Sequence, residues 1–178
     1  MKFFKLLGVI SLVLILASCE KKADISAPNI YDEQGITFSY PGNWKISSNA
    51  SNSDVRYIIL ESPGDAIFII QIYSRETALP LNAYAKWFAE QAKKETPLAD
   101  RIIGTFSDLT EKLNTLETGA IREAFQVKLM GQKIPHRAEY YRLEKNNQVA
   151  FLISHSSTEA LEKVTPGFML IIQSFTIE

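Results

Sequence analysis

Two periodicities run through the chain. From Gly35 to Tyr40 (GITFSY) apolar and polar side chains alternate, the run stops at Pro41-Gly42, and it resumes at Trp44. Alternation bounded by turn residues predicts two short strands around a turn. Asp54–Glu61 (DVRYIILE) and Ala66–Tyr73 (AIFIIQIY) flank the turn cluster Ser62-Pro63-Gly64-Asp65. The second run is apolar on both parities, as expected of a central strand covered on both faces.

The period then lengthens. Leu81, Tyr84, Ala85, Phe88, Ala89 and Ala92 recur at helical spacing, with Lys86, Glu90, Lys93 and Lys94 mostly opposite and Trp87 at the margin of the apolar stripe. This predicts an amphipathic helix entered at Pro80 and closed before Pro97. Leu98 to Lys112 is mixed and reads as loop with a short strand. Ile121–Met130, Ile134–Leu143 and Val149–His155, joined at Gly131-Gln132 and Lys145-Asn146-Asn147, read as an antiparallel meander. Thr158–Val164 is helix-like, and Pro166 opens a second helical stretch carrying Phe168, Ile171, Ile172 and Phe175. Grouped strands with a helix between them and another at the end imply an α+β domain.

The N-terminus follows neither period. Lys2 and Lys5 precede a run from Leu6 to Ala17 that is apolar apart from Gly8 and Ser11. At roughly 12 residues the run is shorter than the about 20 needed to span a bilayer, and it reads as a secretory signal. Cys19, the chain's one cysteine, follows it after Ser18. Without a second cysteine there is no disulfide partner, and His136 and His155 lie outside metal-ligand spacing. Leu16-Ala17-Ser18-Cys19 resembles the bacterial lipobox. That resemblance implies cleavage before Cys19, a diacylglyceryl thioether on its sulfur and, in many bacteria, a further acyl chain on its amine. Two or three acyl chains suffice for a permanent anchor, at about 0.8 kcal/mol per buried methylene. Residues 1–18 are then a lipoprotein signal peptide. Residues 19–32, polar and carrying Pro28, read as a lipidated N-terminus with a flexible tether of ~20 Å reach. Residues 33–178 form the globular domain. The protein is expected at a membrane surface. That surface is the periplasmic face of the outer membrane in a Gram-negative host, since Glu20 is not the aspartate that signals inner-membrane retention there; otherwise it is the outer face of the plasma membrane.

Loss of Lys2 and Lys5 with the signal leaves 17 basic against 20 acidic side chains, a net charge of −3. So mild an acidic balance argues against nucleic acid or an anionic lipid face as the main partner, since both attract basic patches. No glycine-rich phosphate loop, calcium loop or nucleophile elbow is present, and no cofactor is expected.

Candidate chemistry is sparse. Alternation along the strand puts Arg137, Glu139 and Tyr141 on one face and His136, Ala138 and Tyr140 on the other. The first trio reads first as a cross-strand ion pair on a partly exposed face, and second as a polar anchor for a ligand with Tyr141 as an apolar wall. Ser154 and His155 are adjacent on a strand and point oppositely, so they cannot pair as nucleophile and base. The alternatives to an interaction module are a small-molecule binder, with a pocket between the sheet and one helix near Trp87 or Arg137, and then a hydrolase built around His136 or His155.

The segments GITFSYPGNWKI, LPLNAYAKWFAEQ, GQKIPHRAEYYRLEKNNQVAFLI and TPGFMLIIQSFTIE, in that order, together resemble the PsbP-like fold. It is a fold shared by the photosystem II extrinsic protein, a yeast Ran-binding protein and many small bacterial lipoproteins. The resemblance spans about residues 31 to 178. It implies a central antiparallel sheet of about six strands sandwiched between helices (α/β/α) and a non-catalytic binding or assembly module, here with an envelope protein as partner. The photosynthetic role is not implied, because nothing in this chain advertises its partner.

Overall fold

Ten strands and two helices account for most of residues 21–94, 100–109 and 119–178, the parts of the chain described by the computed structural model. The chain runs β1 (Asn29–Glu33), β2 (Ile36–Tyr40), β3 (Lys45–Ser51), β4 (Arg56–Glu61), β5 (Ile67–Ser74), α1 (Leu81–Lys94), β6 (Asp100–Leu109), β7 (Ala120–Leu129), β8 (Gln132–Lys145), β9 (Gln148–Ser157), α2 (Leu161–Ser174) and β10 (Thr176–Ile177). Seven strands, against about six expected, form one antiparallel sheet in the order β3-β4-β5-β9-β8-β7-β6. A second sheet, which the sequence did not announce, has the order β1-β2-β10.

Around β5 and β9 the large sheet is covered on both faces, which explains why β5 is apolar on both parities. On one face α1 packs Tyr84, Ala85 and Phe88 against Ile121, Phe125, Tyr140, Phe151 and Ile153. Tyr84 stacks on Phe151 with ring centres 3.5 Å apart. On the other face α2 and the small sheet bury Val164, Phe168, Ile171 and Ile172 with Phe38, Ile58, Leu60, Phe68, Ile70 and Leu152. Phe168 meets Trp44 edge-on at 5.3 Å, and Tyr31 stacks on Phe38 at 4.8 Å. The expected α/β/α arrangement and the β7-β8-β9 meander are both present.

Two short strands do flank Pro41-Gly42 as expected, and four details go beyond or correct what the pattern predicts. The strands either side of Pro41-Gly42 belong to different sheets: β2 pairs with β1 and β10, while β3 pairs with β4. Alternation alone cannot tell a hairpin from a chain that crosses between sheets. Leu98–Lys112 is mainly strand where described: β6 runs ten residues, with a bulge between Ile102 and Thr105. Gly104 sits in that bulge so close to the Ala124 carbonyl that no side chain fits there. Pro166 lies inside α2 rather than opening it. It forgoes one backbone hydrogen bond, and the Thr165 hydroxyl donates to the Leu161 carbonyl one turn back, at 2.6 Å.

The fourth correction concerns the tether. The described chain is folded from its first residues. Ala23 is buried and donates its N–H to the Lys163 carbonyl at 2.9 Å. Asn43 accepts from the Asp24 N–H and donates to the Lys22 carbonyl, and the Gly42 N–H donates to the Asp24 carbonyl. β1 then covers residues read as tether, burying only Tyr31 of its five. A strand with one buried side chain has no period to betray it. Cys19 and the signal-like run lie outside the described residues.

Register defines two opposite ends. Lys45, Glu61, Ile67, His155 and Ala138 share one row across β3-β4-β5-β9-β8. Near that row lie Ala23, the Pro41–Trp44 corner and the start of α2. Seven residues further along β5, roughly 23 Å at strand rise, lie the Asn146-Asn147 turn, Ser51–Arg56 and the Gln34-Gly35 turn.

Candidate functional site

Arg137, Glu139 and Tyr141 do converge, and β7 adds a residue that the sequence did not single out. The register places Arg122 opposite Glu139. Arg122 Nε and Nη2 both donate to Glu139 Oε1, at 3.0 and 2.9 Å. Arg137 Nε lies 3.4 Å from the same oxygen. The Tyr141 hydroxyl donates to Oε2 at 2.8 Å. Burial, with the Glu139 carboxylate beside it, pushes the Tyr141 phenol well above its ordinary value. Two guanidiniums on one carboxylate leave a net positive charge, and Glu139 takes only two of Arg122's five N–H donors. Both arginines are partly open to solvent. Around them Thr105, Ser107, Ala124, Gln126, Lys133 and Pro135 are exposed, so beyond Tyr141 this side of β6-β7-β8 is a platform that the other described residues leave uncovered.

The histidines occupy the opposite face. His136 Nδ1 contacts the Ile134 carbonyl at 3.0 Å, and the His155 ring lies 5.2 Å from that of His136, with Phe125 against both. His155 keeps an accessible edge, but its Nε2 is sealed without a hydrogen-bond partner among the described residues. Burial first, then His136 and Arg101, hold its pKa down to about 3. Ser154 sits on the other face, as alternation requires.

Beneath the histidines lies an ion pair that sequence reasoning missed. Arg101 Nη2 donates to Glu123 Oε2 at 2.6 Å, and the Tyr140 hydroxyl donates to the same oxygen at 2.7 Å. The Arg101 guanidinium carbon also lies over the Phe125 ring, 3.7 Å from its centre. Arg101 is 5% exposed and Glu123 0%. Burial, then the Glu123 charge, raises the Tyr140 phenol. Arg101 Nε and Glu123 Oε1 find no partner among the described residues.

Trp87 is 43% exposed and leans on Tyr84 at 5.8 Å. It sits on α1, across the sheet from Arg137, so the two cannot share a pocket. A polar cleft of about 460 Å³ opens elsewhere, at the far end from Ala23, lined by Gln34, Asn52, Arg56, Tyr73, Asn147 and Gln148 among others. Its Arg56 donates to the Tyr31 hydroxyl at 2.6 Å and so ties the two sheets together. Among the described residues no three His, Cys, Asp or Glu side chains are grouped to hold a metal, and no helix is long and apolar enough to cross a membrane.

Comparison with solved structures decides the fold. The solution structure of cyanobacterial PsbP (CyanoP) from Synechocystis sp. PCC 6803 superposes with a TM-score of 0.56 at 12% identity, covering 97% of this chain and 99% of that one. The chain has the PsbP-like fold. The Saccharomyces cerevisiae Ran-binding protein Mog1p matches the PsbP-like domain with a TM-score of 0.48 at 8% identity, over 85% of this chain and 95% of that one. LpqN, involved in cell envelope biogenesis of Mycobacterium tuberculosis, matches with 0.38 at 15%, over 85% and 89%. No family model matches the chain, and no curated protein does.

Proposed function

We propose that the protein is a lipid-anchored, non-enzymatic component of the cell envelope whose PsbP-like domain binds another envelope protein. The observation that carries this reading is the uncovered platform of β6-β7-β8. There one carboxylate holds two half-open guanidiniums in fixed positions, with donors left over for an acidic partner surface. The histidines support it from the other side: neither has a nucleophile in hydrogen-bond reach among the contacts described, and His155 is held neutral. The anchor rests on the Leu16–Cys19 motif. The test is crosslinking in intact envelopes with wild type and an Arg122→Glu/Arg137→Glu variant. A specific protein captured by wild type and lost by the folded, acylated variant is the expected result. Capture of nothing across several growth conditions, or equal capture by both, overturns the proposal.

A second reading, small-molecule binding, is favoured by the cleft around Arg56 and Asn147. A ligand at 100 times its Kd adds about 2.7 kcal/mol to stability. A thermal-shift screen without a response disposes of that reading.

A further inference from the structure

The short link to position 19 and the shape of the large sheet together set how the domain stands on its membrane. Ala23 is the first buried residue, fastened to Lys163 and packed beside Gly167, Pro41 and Trp44. From Cys19 to Ala23 a fully extended chain covers at most about 14 Å. The headgroup layer takes up roughly 5–8 Å of that, from the difference between total and hydrocarbon thickness. The end of the domain that carries Ala23 is therefore held within a few ångströms of the headgroups.

That same end bears a projecting finger. β9 stops pairing with β8 at His136↔Ser157, but β7 and β8 continue together to Leu129↔Gln132. The tip at Met130-Gly131 lies five residues beyond His136, roughly 17 Å at strand rise. Met130 caps it at 86% exposure, with φ +49° at Met130 and +84° at Gly131 closing the turn. From Val127 to Ile134 (VKLMGQKI) the only charges are Lys128 and Lys133, which face each other across the hairpin. Asp100 lies across from Lys128 on β6, and α1 runs back towards this end, closing on Lys93 and Lys94. An apolar tip collared by lysines suits the boundary between acyl chains and anionic headgroups.

We infer that the β7-β8 hairpin tip is a second membrane contact: Met130 enters the bilayer interface, Lys128 and Lys133 lie on anionic headgroups, and the polar cleft is held facing away. The inference rests on the lipid anchor at Cys19. Acylation of Cys19 leaves any introduced cysteine as the one free thiol, so the full-length acylated protein can be labelled at Met130→Cys or at Asn146→Cys with an environment-sensitive fluorophore. Each is reconstituted into vesicles of neutral or partly anionic lipid that contain brominated acyl chains. The expected result is blue-shifted, quenched emission at position 130, stronger on anionic vesicles, and water-like emission at 146. Water-like emission at 130 in protein that mass spectrometry shows acylated, and that floats with the vesicles, overturns the orientation while leaving the anchor standing. A bare Cys19 overturns both. Equal quenching on neutral and anionic vesicles removes the lysines from the contact.

Discussion

Glu123→Gln isolates the cost of the buried ion pair. The substitution keeps the side chain's size and leaves a carbonyl oxygen for the Tyr140 hydroxyl, but it removes the charge facing Arg101. Glu123 is fully buried and Arg101 nearly so, and Arg101 Nε already lacks a partner among the described residues. The guanidinium therefore cannot turn to solvent for compensation. Removing one member of such a pair costs about 3–5 kcal/mol. With a urea m-value of about 2 kcal/mol/M, the unfolding midpoint falls by roughly 1.5–2.5 M. Arg101→Met combined with Glu123→Gln removes the stranded cation while retaining the stem over Phe125, and it recovers most of the loss. Urea unfolding followed by tryptophan fluorescence on the four corners of this cycle gives the coupling directly. A Glu123→Gln midpoint within about 0.5 M of wild type, or a double variant no better than the single, refutes the assignment of the pair as a sealed charge.

The other predictions concern backbone, pH and processing. Gly104→Ala forces a methyl into the Ala124 carbonyl, and the unfolding free energy falls by an amount typical of overpacking, about 1–3 kcal/mol, which lowers the urea midpoint. An unchanged midpoint contradicts the bulge geometry. His155 is neutral when folded and protonates readily when unfolded, so the unfolded state binds more protons as pH falls from about 6.5 towards 3. Wild type consequently loses stability in that window, and His155→Leu flattens the pH dependence of its unfolding free energy; parallel curves count against a buried neutral imidazole. Deleting residues 21–24 removes Ala23 and the Asp24–Asn43 fastening, and thermal melting shows a lower Tm, whereas a flexible tether predicts none. Cys19→Ala leaves an unacylated precursor or soluble protein, checked by mass spectrometry of the purified chain.

What was legible in the sequence depended on local signals. β7-β8-β9 could be read because Gly131 and Asn146-Asn147 mark turns between alternating runs, and α1 because its stripe is clean. The Arg137–Glu139–Tyr141 face followed from parity alone. The small sheet escaped because its pairing is non-local: β10 is two residues long, and β1 is polar apart from Ile30 and Tyr31. Arg122 was hidden because its partner lies across a strand pair, whose register the hydrophobic pattern does not specify residue by residue. Arg101 and Glu123 were hidden for a stronger reason. A charged residue at a core position looks like a surface residue until its opposite charge, 22 positions away, is brought against it.

The order β1-β2-β10 has a consequence for how the chain matures. β2 lies between a strand that immediately precedes it and the two-residue strand Thr176–Ile177 near the other end of the chain. Phe175, which seals the core beside Phe38, comes immediately before that late strand. The small sheet cannot close, nor Phe175 settle against Phe38, until Thr176 and Ile177 are in place. The β1-β2 pair is local and needs no distant strand, so the final two-residue pairing acts as a latch that joins the two ends of the domain last.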